Sequence, residues 1–167
     1  MAVCLALDVG DARIGVAISD ATGFLASPFT TLHVTHDEAQ TWSAIQRLIV
    51  ETGAEGLVVG LPISLDGNIH SQGKHVLAFA DRLKEHITIP ITFWDERLST
   101  VEAQRLLEQR DYDRKGQRHG TKGGRKRRKR SQEIDALAAA VFLQDYLSSH
   151  RSIDAAPGDK IEDNTYE

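Results

Sequence analysis

One cysteine, Cys4, stands in the 167 residues. A single thiol excludes an internal disulfide and a Cys-rich zinc framework, and within an apolar run it acts as a small hydrophobe. Long hydrophobic runs are missing too. None approaches the ~18 residues of a membrane span, and no basic stretch followed by an apolar one opens the chain. These absences predict a cytoplasmic protein with no membrane partner. The seven histidines show no metal-ligand spacing, and there is no internal repeat. The chain is also too short for a second domain that would close over a nucleotide. That disfavours reading Asp8-Val9-Gly10 as a nucleotide phosphate loop.

Acidic residues are absent from one long stretch. Between Arg114 and Arg130 the charge is +10, whereas the rest of the chain carries −14. Such asymmetry points to a polyanionic partner reached by a basic arm. Periodicity disappears over the same stretch, so 110–130 is expected to be a mobile loop. Lys122 and the run Arg125-Lys126-Arg127-Arg128-Lys129-Arg130 are its candidate phosphate contacts, which would read no sequence and give steep salt dependence.

The rest is patterned. Val3 to Leu7 is aliphatic enough for a strand buried on both faces; it ends on Asp8, and a second run begins at Ile14, as in a hairpin. Phe24 to Leu32 reads as a third strand, at an edge or bulged because of Pro28. Thr35-His36-Asp37-Glu38 has the form of a capping box, with Trp42, Ile45, Leu48 and Ile49 as the apolar stripe of its helix and Gly53 as its stop. Gly56 to Gly60 fits a buried parallel strand, Val76, Phe79, Ala80 and Leu83 a second helix, and Ile87 to Trp94 contains a fifth strand. Ser99 to Glu102 opens a third helix running to about Gln109. Ser131 caps the last one, with Ile134, Leu137, Ala138 and Val141 as its apolar face. Residues 1–148 thus form one α/β domain, an antiparallel meander extended by parallel strands, and 149–167 a polar, acidic, disordered tail.

Asp8 and the pair Asp95-Glu96 follow buried strands, whose C-terminal ends share the crevice where open α/β sheets bind ligands. Asp135 lies beside Ala138, Ala139 and Ala140, small enough for close approach of helix to sheet. Converging carboxylates repel one another, and hard divalent cations, Mg2+ or Mn2+, relieve that repulsion. Two such ions ~4 Å apart promote phosphodiester cleavage. Alternation would put Asp95 with Phe93 and Glu96 with Trp94, on opposite faces. Either acid remains a candidate. Arg13 and Arg97 are placed to hold a backbone phosphate or to balance the acids. Gly60 and Gly67 either admit substrate to the backbone or serve as turn residues.

The segments LALDVGDARIGVAISD, LVVGLPISLDGN, WDERLSTVEAQRLL and IDALAAAVFLQDYL resemble, in order, the motif blocks of the YqgF/RuvX family, whose members are described as Holliday junction resolvases or as nucleases that process the precursor of 16S ribosomal RNA. The resemblance spans about Val3 to Leu147. It implies an RNase H-like fold related to RuvC resolvases, with a five-stranded mixed sheet flanked by helices. It also implies a metal-dependent endonuclease acting on structured RNA or branched DNA. The family's acids fall on Asp8, Asp95 and Glu96, and Asp135. Asp11-Ala12 replaces the usual Thr-Lys, so an extra carboxylate would disturb or supplement the metal site. The basic segment is also longer than usual. The rival expectation is a non-catalytic ribosome-assembly factor that binds through the same arm.

Overall fold

The computed structural model describes residues 2–98, 105 and 126–154. Five strands form one sheet: β1 (Cys4–Val9), β2 (Arg13–Ser19), β3 (Ala26–His33), β4 (Gly56–Leu61) and β5 (Ile91–Asp95), in the order β3-β2-β1-β4-β5. The first three are antiparallel neighbours, and β4 and β5 run parallel to β1. The expected α/β, RNase H-like architecture is therefore present. Helix α1 (Glu38–Thr52) crosses over from β3 to β4, and α2 (Ser71–Leu83) from β4 to β5. The last helix, α3 (Lys126–Asp154), covers the opposite face.

The pleat assigns each side chain to a face. Leu5, Leu7, Val9, Ile14, Val16, Leu57 and Val59 point toward α1 and α2, where they bury Trp42, Ile45, Val76, Phe79 and Leu83. The alternate positions, Ala6, Ala17 and Val58, face α3 with Ala139, Ala140, Phe142 and Leu143. Where Ala6 and Ala17 meet Ala139 and Ala140 the α3 face is built from small residues, so the helix lies close against the strands there.

Three local expectations are corrected. The N-cap of α1 is Asp37, which accepts from the Ala39 amide at 3.0 Å, rather than Thr35; a carboxylate two residues before the amide is the better acceptor there. Helix α3 begins at Lys126, so 126–130 is helical where a loop was expected. Arg and Lys are good helix formers, and Ser131 is an interior residue, not a cap. The helix also continues past Ser148 to Asp154, into the expected tail. Its last turns are anchored by the Arg151 guanidinium, 3.9 Å over the Phe24 ring, and by the Arg151–Ser148 hydrogen bond. The helix expected from Ser99 to Gln109, the loop residues up to Arg125 and the tail from residue 155 lie outside the described residues.

The buried stripe of α3 is also shifted. Ile134 is 59% exposed and Ala138 is exposed, while Ala136, Ala140, Leu143 and Leu147 are buried. Two polar residues lie on that stripe. Gln144 accepts from the Ala26 amide and donates to the Phe24 carbonyl, each at 3.0 Å, which ties α3 to the start of β3. Asp145 accepts from the Trp94 indole at 3.3 Å. Pro28 sits on edge strand β3 beside a register shift opposite Val16 and Ala17, as its missing N–H requires.

Candidate active site

Asp8 projects toward α3, because it alternates with Ala6 and Cys4 on β1. Its ladder partner on β2 is Gly15. A Cβ on Gly15 would collide with the carbonyl group of Asp135, so the bare backbone of β2 lets α3 bring Asp135 alongside Asp8. On the other side of Asp8, β4 pairs Val59 with Leu7, which puts Gly60 next along. A Cβ on Gly60 would stand 2.6 Å from Glu96 Oε1 and 2.7 Å from the Phe142 ring. Both glycines thus act as cut-outs in the sheet, one beneath Asp135 and one beneath Glu96. Gly60 is a strand residue giving clearance to a carboxylate, which corrects its reading as a turn residue.

The choice between Asp95 and Glu96 follows from the faces. Trp94 packs with the α3-side cluster, and Phe93 with the α1 and α2 side. Strand β5 ends at Asp95, and a 3-10 turn, Glu96–Leu98, carries the Glu96 carboxylate over Gly60 on the α3 side. Asp95 does not share the Gly60 cut-out, although its charge helps to raise Glu96. It accepts from Arg97 Nε at 3.1 Å and Nη2 at 2.8 Å, and Arg97 Nη1 donates to the Ser64 carbonyl at 3.1 Å. Arg13 is also paired: its Nε lies 2.8 Å from Asp135 Oδ2, an ion contact off the hydrogen-bond direction, leaving that buried oxygen without a hydrogen bond. Asp11 is not brought in either. Its carboxylate is 84% exposed and faces His75 of α2 at 3.8 Å.

Electrostatics tie the three acids together. Burial, then the negative charge of Asp135, raises the Asp8 pKa to about 6. Burial, then Asp8 and Asp95, raises Glu96 to about 7. Asp95 behaves oppositely: its hydrogen bonds from Arg97 hold its pKa below the ordinary carboxylate value. Among the described residues no three His, Cys, Asp or Glu side chains are gathered into a ready metal-binding group. The donor chemistry still fits a hard divalent cation. Asp8, Glu96 and Asp135 offer only carboxylate oxygens, two of these acids are pushed toward neutrality, and one Asp135 oxygen is buried without a hydrogen bond. Gly15 and Gln144 are the positions that the sequence reading missed. An isolated glycine inside an apolar strand, as in Arg13-Ile14-Gly15-Val16, was the available signal for close backbone approach. Gln144 gave none.

A mixed five-stranded sheet of this order, with carboxylates at the ends of its first and last strands and a long helix across one face, defines an RNase H-like protein. More particularly, the chain belongs to the RuvX family, described as Holliday junction resolvase, whose model matches residues 2–149. A relative from Thermoanaerobacter pseudethanolicus is 41% identical over 89% of this chain and 97% of its own length. One from Bacillus thuringiensis is 38% identical over 87% and 97%. Both carry the words "pre-16S rRNA nuclease" in their names. Among solved structures, Thermus thermophilus RuvC in complex with Holliday junction substrate superposes with a TM-score of 0.54, at 12% identity over 89% of this chain and 96% of that one. That likeness is one of fold.

Proposed function

We propose that the protein is a cytoplasmic, metal-dependent endonuclease that cuts structured RNA, processing the 5′ end of the 16S ribosomal RNA precursor. The observation that carries this reading is the convergence of Asp8, Glu96 and Asp135 on one face of the sheet, where burial and neighbouring negative charge raise the pKa values of Asp8 and Glu96. Clustered, mutually perturbed acids at strand ends are the expected form of a site that binds cations and phosphate together. The substrate is taken from the names of the relatives.

In this reading Asp8, Glu96 and Asp135 hold Mg2+ or Mn2+, which when bound supplies Lewis-acid stabilisation of charge on the phosphodiester and acidifies water. The protein's own contribution is placement. The β1 ladder fixes Asp8, the 3-10 turn aims Glu96, and close packing of α3 on Gly15 sets Asp135. Arg13 balances the charge of Asp135 at the edge of the site, where its guanidinium is placed to meet a backbone phosphate. Arg97 remains engaged with Asp95. The basic stretch from Lys122 and Arg125 through Lys126, Arg127, Arg128, Lys129 and Arg130, whose last five residues open α3, holds the strand through its phosphates.

The test is cleavage of a labelled precursor RNA and of a four-way DNA junction by wild type and Asp8→Asn, with Mg2+, Mn2+ or EDTA. Metal-dependent cutting of the RNA that the variant loses is the expected result. Preferred cutting of the junction would move the substrate to branched DNA. Tight binding with no cutting by either protein would overturn the nuclease reading in favour of an assembly factor.

A further inference from the structure

The loop after β4 carries the most exposed large apolar side chain among the described residues: Leu65, at 98% exposure. It is not a loose loop. Leu65 and Asp66 form the tip of a tight turn in which the Gly67 amide donates to the Ser64 carbonyl at 2.8 Å and the Ser64 amide to the Asn68 carbonyl at 3.0 Å. Gly67 takes the left-handed conformation, φ 80°, that closes such a turn. Asp66 accepts from the Asn68 amide at 2.9 Å, a further local brace.

The loop is fastened to the acids through one residue. Arg97 reaches it by donating to the Ser64 carbonyl, and the forked contact with Asp95 fixes the guanidinium itself. Arg97 is the immediate neighbour of Glu96, and the loop leaves β4 after Leu61, one residue beyond the Gly60 over which the Glu96 carboxylate sits. A rigid turn thus presents a bare aliphatic side chain beside the candidate site, and no core contact uses it. An apolar side chain held out on a braced turn next to a phosphodiester-cutting centre has a partner of matching chemistry in the faces of stacked bases.

We infer that Leu65 is an apolar wedge that enters the base stack of paired RNA next to the scissile phosphate, and that Asp95 and Arg97 are positioning residues that hold it at a fixed height above Glu96. The inference rests on the nuclease reading above and gives Asp95 a role other than holding metal.

The experiment uses an RNA duplex with a single-stranded flank and 2-aminopurine at the base step of the duplex end. Fluorescence is read at saturating full-length protein in the uncleaving Asp8→Asn background. Unstacking by Leu65 should raise the signal severalfold. Leu65→Ala should abolish the rise, Leu65→Phe should keep it, and Arg97→Gln should reduce it while leaving the thermal midpoint of the protein in place. In the cleaving background, Leu65→Ala should lower the ratio of duplex-end to single-strand cleavage at least tenfold, and Arg97→Gln should spread the cut over neighbouring phosphates. An equal fluorescence rise with and without Leu65, together with an unchanged cleavage ratio, overturns the wedge and leaves the nuclease standing. A wild-type protein that cuts no nucleic acid overturns both.

Discussion

Asp8 and Gly15 face each other across the β1–β2 ladder, and the absent side chain of Gly15 leaves the room in which Asp135 approaches Asp8. Gly15→Ala would force a methyl group against the backbone of α3. Overpacking of this kind costs about 1–3 kcal/mol. Urea unfolding of the variant should show a loss of that order, and cleavage should fall by much more than the residual folded fraction explains, because Asp135 moves with the helix.

Asp8 makes the free protein less stable as pH rises. The folded chain keeps the protons of Asp8 and Glu96 to about pH 6 and about pH 7, whereas an unfolded chain releases them near pH 4. Between those values the unfolded state binds fewer protons, so stability declines with rising pH. Asp8→Asn should therefore be more stable than wild type at pH 8 in EDTA, by on the order of 1–2 kcal/mol, and the difference should vanish near pH 4. Thermal melts across that range measure it, and a constant difference at every pH would contradict the assignment.

Divalent cation should reverse the order. A ligand that binds only the folded state stabilises it by mass action. Addition of Mn2+ or Mg2+ at pH 8 should raise the melting temperature of wild type and leave that of Asp8→Asn nearly unmoved.

Glu96 and Asp95, adjacent in sequence, should part in function. Glu96→Gln should lower the cleavage rate at least a hundredfold, since its carboxylate lies over Gly60 with the other acids. Asp95→Asn should lower it less than tenfold, since Asp95 is committed to Arg97. Equal losses, measured as kcat on the same RNA, would place both acids in the site.

Gln144→Ala removes both partners that tie α3 to the start of β3. A typical intramolecular hydrogen bond contributes about 0.5–1.5 kcal/mol. Chemical denaturation should register that loss, with hydrogen exchange rising first at Ala26.

Much of this was legible in the sequence. The strands showed as short aliphatic runs, Asp8 as the acid that ends the first of them, and Pro28 and Gly53 in the roles their backbones dictate. What stayed hidden needed the third dimension. Alternation separated Asp95 from Glu96, but two aromatic neighbours gave no clue to which face α3 would cover. That became readable once Trp94 was found against the helix. The face of α3 was misread at Ile134 and Ala138 because an alanine-rich helix has a weak stripe: alanine is at home both in a close-packed seam and in water. The first turn of α3 was hidden by its own charge, since a basic run reads alike as solvated loop and as helix.

The face of the sheet beneath α3 bears Ala6, Ala17 and Ala26, and the helix meets it with Ala139 and Ala140, all fully buried. These residues are closed off from solvent, yet their combined thickness sets how far Asp135 stands from Asp8 and Glu96. They work as shims. A change from Ala to Ser or Val at any of them alters no charge and removes no catalytic group, but it resets the gap between the acids. The spacing of Asp8, Glu96 and Asp135 is therefore tunable from the most featureless alanines of the chain, which makes the seam under α3 the place to vary it.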